Sequence, residues 1–459
     1  MRRIGAALLA LGAALAVVPA AAAAAPTLTW KPCGEAECAT LSVPLDWDKP
    51  GERVAISVSR APARDQSRRI GALMFSPGGP GSGTAELVAR YAKEVFPDEV
   101  RDRFDLIGLD FRGTGTSTPI RCDLPPHDPS SDRFPVTAAA TAKLAGENAA
   151  FANSCAAKTG PVMAHLDTDT IARDMDALRE ALGEKQISYL GLSYGSMLGQ
   201  AYAERFPHRL RALALDGVVD RSLPTRQLVK DNAVSTQDGW TQFVDWCARD
   251  ASCALHGKDP RQVLRDVTAL AERGALKAGD RVVTPREVQA GALLALNANT
   301  FLPAMASGLV KALTGDGSML TQGMINSPMY TSYRSIICQD IPVGFPLHEA
   351  VGEVRALNPD LGGYSELWDI ASGCAGWPQP VRWTPHTWRG TPPSTLLVSG
   401  AHDVATPRTW AESVHRQIPG SHLLTWPGVG HTAWMGNNKC AREATARYLL
   451  TLEMPSSSC

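Results

Sequence analysis

The feature that most constrains this chain is Gly191-Leu192-Ser193-Tyr194-Gly195, set between "ISYL" and "SMLGQAYAERF". A short apolar run leads into the serine. A helical pattern leaves it and stops before Pro207. The stretch therefore predicts a buried strand, a sharp turn and a helix. Glycines at 191 and 195 remove side chains where strand and helix crowd together. The turn lifts the Ser193 hydroxyl, and the helix start adds positive potential beside it. A bare G-x-S-x-G also describes a plain tight turn. The strand–turn–helix setting is what a nucleophilic serine of this pattern requires, so Ser193 is read as a nucleophile.

The rest of the chain supplies partners for that strand. "RVAISVS" (53–59) alternates like a half-buried strand. "IGALMF" (70–75), "FDLIGLD" (104–110), "LRALALD" (210–216), "STLLVSG" (394–400) and "HLLTW" (422–426) are further apolar runs. "DTIARDMDALREAL" (169–182) has helical spacing, with Asp167 or Thr168 as cap and Gly183 as stop. Short apolar strands separated by helices predict an α/β fold: a mostly parallel sheet with helices on both faces. Between residues 221 and 390 the rhythm changes to helices such as "GWTQFVDWCARD" and "PRQVLRDVTALAERGAL". We read residues 26–220 as the first part of a core, 221–390 as a helical cap insertion, and 391–459 as the rest of the core.

A serine hydroxyl needs a base at neutral pH. Of ten histidines, His431 in "WPGVGHTAW" follows the last predicted strand, where a loop can bring an imidazole over the sheet end. His402 is its nearest rival, but it lies in the loop expected to supply the acid. Asp403 in "GAHDVATP" is that acid, with Asp216 and Asp220 as alternatives. The order is then Ser193, Asp403, His431. An oxyanion requires backbone N–H donors. One is expected from Tyr194 and the other from Gly79, with Gly78 as second choice, in the loop "SPGGPGSG". Pro80 has no N–H to give. That loop lacks the lysine or the spacing of a phosphate-binding glycine loop. "LDFRGTGTS" (109–117), with Asp110, Arg112, Gly113, Gly115 and Ser117, is read as a rigid turn beside the site.

The compartment is also legible. Met1-Arg2-Arg3, an apolar stretch and an alanine run form a secretory leader, here residues 1–25. No cysteine follows the apolar run, so a lipoprotein is not expected. No other long apolar stretch follows, so no stable membrane association is expected after cleavage. Ten cysteines in an exported chain favour disulfides over metal sites. Pairing neighbours gives Cys33–Cys38, Cys122–Cys155, Cys247–Cys253, Cys338–Cys374 and Cys440–Cys459. The formal net charge of -1, with no basic block, argues against nucleic acid as a partner.

Together GGPGSG, DFRGTGTS, GLSYG, GAHDVATP and the final GVGH resemble the α/β-hydrolases of the proline iminopeptidase and tripeptidyl aminopeptidase group. The resemblance is closest to the secreted tripeptidyl aminopeptidase-like branch of actinomycetes. "SIICQD" (335–340) and "GCAGWP" (373–378) resemble patches of its cap. It implies an α/β-hydrolase fold and a secreted serine exopeptidase releasing short peptides, often tripeptides, from free N-termini. It also implies Ser193, Asp403 and His431 as the triad, no metal or organic cofactor, and Cys338–Cys374 pinning the cap. Single-residue iminopeptidases usually carry a histidine before G-G-P-G. Here Ser76 and Pro77 stand there, which favours the tripeptidyl branch.

An aminopeptidase must hold an ammonium, so an acidic group in a partly buried site is expected. Asp340, Asp220 or a glutamate of the cap could serve. An esterase or lipase with the same triad, a proline iminopeptidase, and a non-catalytic binding protein on the same fold are the competing readings.

Overall fold

The apolar runs assemble into one nine-stranded sheet, together with two N-terminal strands that the sequence reading did not single out. The computed structural model describes residues 27–49, 51–125, 131–391 and 393–459; the expected leader lies outside them. In chain order the strands are β1 (Lys31–Cys33), β2 (Ala36–Pro44), β3 (Arg53–Ala61), β4 (Gly71–Ser76), β5 (Phe104–Leu109), β6 (Ile187–Leu192) and β7 (Leu210–Asp216). A two-stranded ladder of β8 (Lys277–Ala278) and β9 (Arg281–Val282) follows outside the sheet, then β10 (Thr395–His402) and β11 (His422–Val429). The spatial order is β1-β2-β3-β5-β4-β6-β7-β10-β11. From β5 to β11 all neighbours are parallel, while β1, β2 and β3 join antiparallel.

The central strands are continuous apolar runs because both faces are covered. In β4, Leu73 and Phe75 pack into one hydrophobic cluster, and Ala72 and Met74 into another across the sheet. In β7, Ala212 and Ala214 divide from Leu213 and Leu215 in the same way. This is the period of two that a strand imposes. The helix after Asp167 runs Thr168–Ala181, with the Asp167 carboxylate accepting from Thr170 N–H at 2.9 Å.

Between β7 and β10 the chain leaves the sheet. It forms α-helices Thr225–Arg249, Pro260–Glu272, Pro285–Ala295, Leu302–Ala312, Tyr330–Asp340, Leu347–Leu357 and Glu366–Cys374. These lie over the carboxyl ends of the parallel strands, where ligands bind in such sheets. Residues of four of these helices line the cavities around Ser193, which positions the site between sheet and cap.

All five neighbouring cysteine pairs are bonded: Cys33–Cys38, Cys122–Cys155, Cys247–Cys253, Cys338–Cys374 and Cys440–Cys459. Each closes a local loop, worth about 2–4 kcal/mol in favourable cases. Cys338–Cys374 cross-links helices Tyr330–Asp340 and Glu366–Cys374. Cys440–Cys459 ties back the C-terminal tail, where Cys459 N–H also donates to the Thr425 carbonyl at 2.9 Å. Among the described residues, no helix is long and apolar enough to cross a membrane.

Candidate active site

Ser193 sits where β6 ends and helix Tyr194–Arg205 begins, with φ 55° and ψ -119°. This is a costly backbone for a residue with a Cβ, and surrounding bonds hold it. Ser193 N–H donates to the Asp216 carbonyl at 2.9 Å, and Ser196 N–H donates to the Ser193 carbonyl at 2.7 Å. The flanking glycines are required by contact. A Cβ at Gly191 would collide with the Gly195 carbonyl, and one at Gly195 would lie 2.9 Å from Ser76 atoms of β4.

The histidine and the acid come from the loops after β11 and β10. His431 Nδ1–H donates to the Asp403 carboxylate, with contacts of 3.0 and 2.9 Å to its two oxygens. Asp403 is buried and orientated further. Its Oδ1 accepts from Ala405 N–H at 2.9 Å and Thr406 N–H at 2.8 Å, and its Oδ2 from the Thr406 hydroxyl at 3.0 Å. The His431 loop is anchored from both sides. Its backbone N–H donates to the cap carbonyl of Asn297 at 2.8 Å. Asp216, at the end of β7, accepts from Ala433 and Trp434 N–H groups at 2.8 Å. Burial pushes the Asp216 carboxyl up to about 7, against the pull of those two N–H groups. Asp216 thus holds the loop rather than His431 itself. His402 is turned away to the cap, its Nδ1 2.6 Å from the Asp238 carboxylate.

His431 is largely enclosed and its basicity is raised. Burial, the largest influence, opposes the imidazolium. Asp403, Glu366 and Asp216 together outweigh it.

Gly79 and Ser193 line the same two cavities, and Tyr194 lines one of them. Tyr194 is the first residue of its helix, so its N–H belongs to the first turn, which the helix's own ladder leaves free. Its phenol is anchored elsewhere, 2.7 Å from the Thr168 hydroxyl. Gly78 and Gly79 both hold positive φ, 93° and 100°. A Cβ at Gly78 would lie 2.8 Å from that of Ser193, so the glycine loop rides directly against the nucleophile. The "DFRGTGTS" turn is a packed support. Asp110 accepts from Ala85 and Thr116 N–H groups, and Arg112 forms a buried pair with Asp174.

The first cavity is mostly apolar: Met197, Leu228, Ile337, Ile341, Trp383 and Trp410 are among its walls. The second contains Leu293, Asn297, Ile325, Tyr364 and His431. Ser193, Gly79, Tyr333 and Glu366 border both.

The two acids named from sequence, Asp340 and Asp220, both line the first cavity. Both already accept hydrogen bonds, Asp340 through both carboxylate oxygens and Asp220 through Oδ1 alone. Asp340 accepts from Thr168 N–H at 2.8 Å and its hydroxyl at 2.6 Å, and burial pushes it up to about 7. Asp220 accepts from Ser222 N–H at 2.9 Å and its hydroxyl at 2.6 Å.

Glu366, which the sequence reading covered only as an unspecified cap glutamate, is placed differently. It opens helix Glu366–Cys374 after the Ser365 cap and accepts from the Tyr333 hydroxyl at 3.0 Å. No Lys or Arg among the described residues pairs with it. Its neighbour Asp369, by contrast, is held by Arg286 and Tyr330. Burial raises the Glu366 carboxyl from its ordinary range, while His431 and the Tyr333 hydroxyl pull it back.

Comparison with known proteins agrees with this architecture. Residues 71–436 match the model of the alpha/beta hydrolase fold family. Serine protease Hip1 of Mycobacterium tuberculosis is 31% identical, over 93% of this chain and 89% of its own. Tripeptidyl aminopeptidase of Streptomyces coelicolor is 30% identical, over 97% and 86%. Carboxylesterase B of Mycobacterium tuberculosis is 32% identical, over 96% and 91%. The chain belongs to the α/β-hydrolase family, and its relatives place it among the serine hydrolases of peptidase type.

Proposed function

We propose that this chain is an exported serine exopeptidase that releases short peptides, tripeptides by analogy with one named relative, from free N-termini. Ser193, Asp403 and His431 act as its triad. Ser193 Oγ attacks the scissile carbonyl as His431 takes its proton, and Asp403 holds the imidazole with its proton on Nδ1. The oxyanion is received by the N–H groups of Tyr194 and Gly79. His431 then hands the proton to the departing amine, and water repeats the sequence to free the acyl group.

Proton delivery assigns the two cavities. The leaving amine must lie beside His431, so the departing peptide occupies the cavity that His431 lines. The acyl portion then occupies the apolar cavity. Export is supported by the leader-like N-terminus and the five disulfides.

The observation that carries the free-N-terminus reading is Glu366. An enclosed carboxylate that no Lys or Arg among the described residues pairs with, bordering the acyl cavity, suits a substrate ammonium. The similarity to a carboxylesterase and the apolar walls favour esters as the second reading.

One substrate panel decides between them: tripeptidyl amides with free or acetylated N-termini, set against aryl esters. Acetylation should lower kcat/KM on the order of 100-fold, the worth of a charge-assisted bond in an enclosed site. Equal cleavage of the acetylated amides, or turnover of esters alone, would remove the aminopeptidase reading. Product masses from the same panel report how many residues leave per cleavage.

A further inference from the structure

Glu366 borders the cavities of both reacting groups and stands among the charges that act on His431. Those facing the imidazole come from three elements. Asp403 lies on the loop after β10, Asp216 at the end of β7, and Glu366 at the start of cap helix Glu366–Cys374. The Thr406 hydroxyl, 3.3 Å from Nδ1, is neutral. Around Glu366 itself stand the Tyr333 hydroxyl, His431, Asp403 and Asp369, the last engaged by Arg286. No Lys or Arg among the described residues offsets Glu366 directly. Asp403 and Asp216 have fixed duties: one orients the imidazole and the other accepts from the backbone of its loop. Glu366 alone is free to change partner when substrate arrives.

This matters because only a neutral imidazole can take the Ser193 proton. In the resting site, negative charge on Glu366 favours the imidazolium, which cannot act as a base. Resting on the aminopeptidase reading above, we propose that Glu366 makes the free N-terminus a trigger for turnover as well as a handle for binding. The substrate ammonium pairs with Glu366, cancels its field at His431, and so releases the imidazole in its neutral, base-competent form. Where His431 was protonated, one proton passes to solvent as the ammonium binds. An acetylated or ester substrate brings no positive charge and leaves the base restrained. Glu366 is thereby a specificity residue acting in the chemical step.

The test is a pair of pH–rate profiles on the intact enzyme with a free-amine tripeptidyl amide. The acid limb of kcat/KM reports the free enzyme, and that of kcat the complex. In the wild type, kcat/KM should rise through a midpoint above the ordinary imidazole value near 6.5. The midpoint for kcat should lie lower, by on the order of one pH unit. In Glu366→Gln the kcat/KM midpoint should itself fall to near the wild-type kcat midpoint, because the charge removed acts on the free enzyme, and Glu366→Asp should bring it back.

Coincident limbs in the wild type, or a kcat/KM midpoint that does not fall in Glu366→Gln, would overturn the proposal. A purely structural role for Glu366 would lower rates in both variants without moving the kcat/KM midpoint. Failure here is distinct from failure of the aminopeptidase reading. A preference for free over acetylated N-termini can persist with coincident limbs, and Glu366 would then be an anchor only.

Discussion

Ser193→Ala should lower peptide turnover by on the order of 10⁶-fold while the protein stays folded. The loss is large because the hydroxyl is the atom that forms the acyl bond, and no neighbouring side chain replaces it. The fold is expected to survive because the elbow is held by its backbone. Ser193 N–H and carbonyl bond to Asp216 and Ser196, and the crowding around the turn is met by glycines. Alanine keeps the Cβ and adds no atom at φ 55°. Turnover of a tripeptidyl amide and the thermal midpoint, measured together, check both halves. Residual activity within a hundredfold of wild type would contradict the assignment.

Asp403→Asn is expected to cost about 10⁴-fold in kcat, less than loss of the nucleophile but through a sharper cause. Oδ1 of Asp403 is fixed by two backbone N–H groups, Ala405 and Thr406. The asparagine carbonyl must therefore take that place, and its NH2 must take the Oδ2 position facing His431 Nδ1. A donor there selects the wrong tautomer: the ring proton moves to Nε2, which can no longer accept from Ser193. The measurement is kcat with KM alongside. Binding should change little, since Asp403 borders neither substrate cavity, and a defect confined to KM would contradict this account.

The parts of this site that were legible in the sequence are those whose geometry is local. A continuous apolar run, a glycine-flanked serine and a helical pattern fix the elbow within twenty-odd residues. Asp403 and His431 were readable because each follows a strand at the same edge of a parallel sheet. Neighbouring cysteines pair because each pair closes a short loop.

β1 and β2 escaped notice for a local reason too. Leu41 and Val43 alternate with Thr40 and Ser42, but cysteines, a glycine and a proline break the run around them. Glu366 is the opposite case. Its sequence, "YSELWDI", reads as a capped amphipathic helix start, where an acidic residue is ordinary. It becomes distinctive only because the cap folds back on the sheet. That fold places the carboxylate on the same cavities as a serine 173 positions earlier, while Arg286 takes Asp369 and no Lys or Arg among the described residues pairs with Glu366. Asp340 and Asp220, the candidates named from sequence, line the apolar cavity, but Asp340 is engaged by Thr168 and Oδ1 of Asp220 by Ser222. Local pattern cannot show that occupancy, because the Asp340 partner lies 172 residues away.

The central claim is that Ser193 is an activated nucleophile in a folded site. Its most direct test is fluorophosphonate labelling of the native protein, followed by mass mapping of the modified peptide. One adduct per chain on Ser193, abolished in Ser193→Ala and by prior heat denaturation, is the predicted result. No labelling of the folded protein, or a principal adduct on any other residue, would contradict it.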